Sequence, residues 1–103
     1  MTYMSDPFPK KFDPGTVALS RGVAEWIDPG EIYYYLMADL MRLLQRHLSC
    51  DWGEVDSQDW KENDLSVQRG YRILSAYRLH ERRLWIITEG DRSVTTILFP
   101  EEY

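Results

Sequence analysis

Three runs in the last third of the chain, RILSAYRL (72–79), RLWIITE (83–89) and SVTTILF (93–99), lie only a few residues apart. Their β-branched and aromatic content marks them as strands. The intervening HERR and EGDR, the second with Gly90, leave room only for tight turns. Consecutive strands so joined pair antiparallel, which predicts a meander. In the first run Ile73, Ser75, Tyr77 and Leu79 alternate onto one face. A sheet with an apolar face must be covered, and the upstream sequence supplies helices to cover it.

The clearest of these is DPGEIYYYLMADLMRLLQRHLSC (28–50). Asp28 can cap its N-terminus, Pro29 fits the first helical position and Glu31 suits the positive end of the dipole. Ile32, Leu36, Leu40, Leu43 and His47 then recur at helical spacing, with Tyr35 and Leu44 beside them. A second helix is expected from Asp56 to Arg69. Asp56 and Asp59 form a capping pair, Gly70 gives the left-handed stop, and Trp60, Leu65 and Val67 make a modest apolar face. TVALS (16–20) reads either as an edge strand or as the lead-in to a helical turn around RGVAEWI. Pro7, Pro9 and Pro14 mark residues 1–15 as a flexible N-terminal arm. The expectation is therefore a single α+β domain over 16–103, with two main helices packed on a C-terminal three-stranded antiparallel meander.

Charge is uneven. The net is −5, and residues 51–70 alone carry six acidic against two basic side chains. No segment has the basic surplus that phosphate neutralisation requires, so direct nucleic-acid binding is not expected. The single Cys50 excludes an internal disulfide and a multi-cysteine zinc site, and fits a reducing, cytoplasmic compartment. The longest apolar run, IYYYLMA, is too short to span a bilayer, and the opening residues lack a signal-peptide core.

CDWGEVDSQDWKEND (50–64), followed by RILSAYRL, LWIITE and DRSVTTILFPEEY, resembles a family of small uncharacterised bacterial proteins known only as plasmid-related or hypothetical. That family pairs an acidic DWG segment with a strand pair and ends in a TTILLPEEY-like tail. The likeness covers residues 45–103. It implies bacterial origin and carriage on mobile elements, and it brings no activity with it.

The acids of 51–64 do not fit a calcium loop, because Gly53 precedes most of them and Trp52, Val55 and Trp60 interrupt the alternation such a loop needs. No cofactor is implied. Cys50 follows His47 by about one helical turn, so a thiol–imidazole pair is geometrically conceivable, but no third group supports it. Helix capping accounts for some of the carboxylates and leaves a surplus. That surplus, with tryptophans among it, suits an interaction surface of Asp51, Trp52, Glu54, Asp56, Asp59 and Trp60 toward a protein partner. A basic nucleic-acid-binding host protein, inhibited through its channel, is one such partner. The alternative is a metal-free ribonuclease-type toxin using His80 and the arginines Arg72, Arg78, Arg82, Arg83 and Arg92. Tyr33, Tyr34 and Tyr35 cannot all be buried on one helix, which together with Met37 and Met41 suggests a homodimer through that helix.

Overall fold

The computed structural model describes residues 10–27 and 33–103, and of Tyr33 and Tyr34 only the backbone. Four strands form one mixed sheet in the order β1-β4-β3-β2. They are β1 (Thr16–Leu19), β2 (Ile73–Leu79), β3 (Arg82–Thr88) and β4 (Val94–Leu98). The fold is α+β, but the expected three-stranded antiparallel meander with two helices is corrected in both respects. β2, β3 and β4 do pair antiparallel, and β1 adds to β4 in parallel, with Thr16 opposite Val94 and Leu19 opposite Ile97. Without β1 the amide groups on one side of β4 would lack partners, and the run TVAL supplies them. The helices number three among the described residues: α1 (Arg21–Ile27), α2 (Tyr33–Leu48) and α3 (Ser57–Arg69). TVALS therefore serves both of its readings, as edge strand and as lead-in, since the Ser20 hydroxyl accepts from the Val23 amide and caps α1.

One face of the sheet carries the core. Leu36, Leu40, Leu43, Leu44 and Leu48 of α2, with Val23 and Ile27 of α1, pack on Tyr77, Leu84, Ile86, Ile97 and Phe99. Leu36, Leu40, Leu43, Leu44 and His47 of the expected helical face are thus buried, whereas Tyr35 is 73% exposed, and Ile32 lies outside the described residues. The cap expected at Asp28, Pro29 and Glu31 lies outside the described residues. α3 runs as expected from its cap at Asp56, whose carboxylate accepts from the Asp59 amide at 2.8 Å, to Gly70 in the left-handed region. Its packing face differs from the expected one. Asn63 and Ser66 are its buried residues, while Leu65 is largely exposed. The reason is a backbone mimic: the Asn63 amide donates to the Leu74 carbonyl (2.8 Å) and accepts from the Leu74 amide (3.3 Å), pairing with the open edge of β2 as a strand would.

Of the expected arm, residues 1–9 lie outside the described residues. Residues 10–15 are tied to the domain: the Lys11 amide donates to the Leu48 carbonyl, the Thr95 hydroxyl donates to the Pro14 carbonyl, and the Phe12 ring lies 5.3 Å from that of His47. The chain's other end is held in a similar way. The Glu102 carboxylate accepts from the Ser20 hydroxyl, the Gly22 amide and the Phe99 amide, which joins the tail to the start of α1 and draws its own pKa down.

The β2–β3 connection is a two-residue turn, His80–Glu81, so Arg82 and Arg83 belong to the strand and not to a loop. Both turn residues have positive φ, +49° and +64°, the conformation that a hairpin's twist selects and that glycine or asparagine adopts most cheaply. Glu81→Gly is therefore expected to stabilise the fold by about 1 kcal/mol, read as a rise in melting temperature of roughly 4–8 °C. A lower melting temperature would mean that the Glu81 side chain supports the turn in some other way.

Candidate functional site

The acidic stretch follows α2, which closes on Cys50 in the left-handed region (φ +68°), with the Cys50 amide donating to the His47 carbonyl and the Asp51 amide to the Arg46 carbonyl. This is the usual helix stop, with cysteine where glycine is common. The reversal sends the chain along the outer edge of β2. There the Ala76 amide donates to the Trp52 carbonyl (3.1 Å) and the Glu54 amide to the Ala76 carbonyl (2.7 Å), so Gly53 bridges Ala76 in parallel register. Gly53 has φ +74°, and a Cβ there would stand 2.0 Å from the Ala76 carbonyl oxygen. No side chain fits. The DWG segment and Asn63 between them close the edge of β2, which would otherwise be open to pairing with another chain.

Most of the residues expected to face a partner have occupations within the fold. Asp51 accepts from Nε and Nη2 of the Arg46 guanidinium, at 2.8 and 3.3 Å, and that contact holds its carboxyl below the ordinary range. Trp52 is fully buried between Phe12 and His47, and its indole N–H donates to Asp64 at 2.9 Å. It offers no surface, which corrects its expected role as an exposed anchor; two neighbouring aromatic rings and a carboxylate on the next helix drew it inward. Asp56 caps α3. Glu54 is exposed, with its carboxylate 3.9 Å from the Arg78 guanidinium. Trp60 is half-buried. Asp59 remains, exposed on α3, and Glu62 one turn on joins it. These two line a cleft of about 240 Å³ between α3 and β2, with Val55, Asn63, Ser66, Arg72 and Leu74. Among the described residues neither carboxylate makes an ion pair. A scan against protein-family models, a search of curated proteins and a search of solved structures each give no match.

The groups weighed for catalysis are dispersed. His47 is buried, with Nδ1 on Ser75 Oγ and Nε2 on Thr88 Oγ1 at 2.9 Å, so neither nitrogen is left for the Cys50 thiol. Burial raises the Cys50 pKa, with the Asp64 charge adding to it and Lys11 opposing, the reverse of an activated nucleophile. His80 lies on the surface with Nε2 3.3 Å from Asp39, which also receives Arg42. Arg82 lies 3.7 Å over the Phe99 ring. Arg92 gives its guanidinium to the carbonyls of Ser66, Tyr71, Glu89 and Gly90, tying the end of α3 to the β3–β4 turn. Among the described residues no three His, Cys, Asp or Glu side chains are gathered as metal ligands would be. No described helix is long and apolar enough to cross a membrane.

Two features escaped the sequence. The Asn63–Leu74 pairing has no spacing signal, because the amide's partner is backbone eleven residues away. The buried row around His47 was hidden because histidine at helical spacing reads as an ordinary face residue.

Proposed function

We propose that the protein works by binding another protein and not by catalysis, and that the contact is the acidic face of α3 around the cleft beneath Asp59 and Glu62. The observation that carries this reading is the division among the carboxylates. Asp51, Asp56 and Asp64 are each held by a close internal donor, whereas Asp59 and Glu62 border a cleft with apolar Val55 and Leu74 and form no ion pair among the described residues; Glu62 has a 3.5 Å contact from the Gln58 amide, and Arg72 shares the lining without pairing with either carboxylate. A lysine or arginine of a basic partner, such as a nucleic-acid-binding host protein, fits that lining, and opposite charge would also speed encounter. The resemblance to the plasmid-related proteins agrees with a mobile-element setting in which such an inhibitor would act in the cytoplasm. A homodimer through α2 is supported by the exposure of Tyr35 and Met41.

The test is affinity capture from bacterial lysate by the wild type beside Asp59→Asn/Glu62→Gln, both confirmed as folded. A partner bound by the wild type and at least tenfold weaker on the variant supports the surface; equal capture by both discards it. The ribonuclease reading retains one observation in its favour, the His80–Asp39 contact. RNA cleavage abolished by His80→Ala and untouched by the α3 variant would replace the binding reading with it.

A further inference from the structure

Residues 71–103 carry five basic and five acidic side chains, and their sum of zero conceals a separation. The five carboxylates sit in the two connections and in the C-terminal turn Pro100–Glu102, none of them within a strand. Alternation along β3 places Arg83 and Trp85 on the sheet face opposite to Leu84 and Ile86, which belong to the core. Arg78 lies directly opposite Arg83 in the β2–β3 register, and Ala76 directly opposite Trp85. On this outer face Tyr103 stands edge-on to Trp85, with ring centres 5.6 Å apart, and the Arg72 guanidinium lies 5.2 Å over the Tyr103 ring. Two arginines facing each other across a ladder repel and weaken it. Among the described residues Arg78 pairs with the half-exposed Glu54 at 3.9 Å, and Arg83 has no ion pair.

We infer that the outer sheet face formed by Arg72, Arg78, Arg83, Trp85 and Tyr103 is a second binding surface, and that its occupant is a single-stranded nucleic acid. The facing arginines supply a phosphate site that their mutual repulsion leaves unsatisfied in the isolated chain. The adjacent half-buried indole and exposed phenol supply platforms for bases, a pairing of charge and stacking that an acidic peptide would use only in its charged half. The surface meets the acidic cleft at Arg72, which borders both, but Arg78, Arg83, Trp85 and Tyr103 are not part of the cleft lining, and the assignment does not rest on the cleft.

The experiment is fluorescence titration of the 103-residue chain with a labelled twelve-nucleotide single strand at 50 mM salt and above. The expected result is saturable binding with quenching of tryptophan emission. Arg78→Gln/Arg83→Gln should weaken binding at least tenfold and flatten the dependence of log K on log salt by about 1.4 units, as loss of two phosphate contacts on a single strand requires. Both arginines are exposed, so folding of that variant, checked by circular dichroism, should be retained. Trp85→Leu should weaken binding several-fold. Absence of binding by the folded wild type, equal binding by the arginine variant, or equal affinity for a polyglutamate peptide of the same length would each overturn the assignment. Asp59→Asn/Glu62→Gln should leave this binding intact, so failure here and failure of the acidic cleft are read separately.

Discussion

Lowering the pH from 6 to 4.5 is expected to remove about 2 kcal/mol of folding stability through His47 alone. In the unfolded chain this imidazole takes up a proton near its ordinary value of 6.5; in the fold, burial and, to a lesser degree, the Arg92 charge hold its pKa down to about 3. The unfolded state therefore binds more protons throughout that interval, so stability rises with pH there and is lost on acidification, by about 1.4 kcal/mol per pH unit at the steepest. The hydrogen bonds explain why a proton is not welcome. The Pro14 carbonyl can only accept, so Thr95 must donate to it, Thr88 to Thr95, and His47 Nε2–H to Thr88. The remaining nitrogen, Nδ1, is then the acceptor of the Ser75 hydroxyl, and a second ring proton would face a donor. The depressed carboxylates Asp51, Asp91 and Glu102 keep their stabilising contribution above their ordinary values of 3.8 to 4.5 and lose it as the pH falls through and below them, so most of the change across the chosen interval belongs to His47. Urea titrations at pH 6 and 4.5 on the wild type and on His47→Gln would measure it. The glutamine variant should be less stable at pH 6 and nearly flat with pH. A flat wild type, or equal slopes in both, would show that His47 charges freely in the fold.

Much of this architecture could be read before any coordinates, and the boundary of that legibility has a physical pattern. Interactions local in sequence were visible: the Asp56 cap, the Gly70 stop, the leucine spacing of α2, and three strands recognised by composition. Features that depend on a distant partner were not. The parallel addition of β1 to β4 depends on residues nearly eighty positions apart, and TVAL alone cannot announce it. Arg92 looked like any turn arginine, yet four carbonyls from three separate places converge on it. Charge misled for the same reason. The acids of 51–64 are one cluster in sequence, but the fold assigns Asp51 to Arg46, Asp64 to Trp52 and Asp56 to its own helix, so Asp59 and Glu62 are the two that face the cleft without an ion pair among the described residues. Conversely, Arg78 and Arg83 are separated by a turn in sequence and brought face to face by the hairpin.

Trp52→Ala is expected to cost on the order of 3–5 kcal/mol, a large share of what holds a domain of this size together. The indole is wholly enclosed, its centroid 6.1 Å from Phe12 and 5.7 Å from His47, and deleting it opens a cavity beside the buried row of hydroxyls. It also strands Asp64, which loses the indole N–H, and loosens the hold of the 10–15 segment, whose Phe12 packs on the same ring. Trp52→Phe separates these terms by keeping most of the packing and losing the hydrogen bond, so its cost should be nearer 1–2 kcal/mol. Chemical denaturation of the two variants beside the wild type measures both. A surface tryptophan held for a partner would give changes within about 0.5 kcal/mol, and a loss below about 1 kcal/mol in the alanine variant would restore that role. The distinction governs how any binding experiment on this protein is interpreted. Lost capture by a Trp52 variant would report unfolding of the edge that DWG closes, whereas lost capture by an Asp59 and Glu62 variant, in a chain that keeps its stability, would report the contact itself.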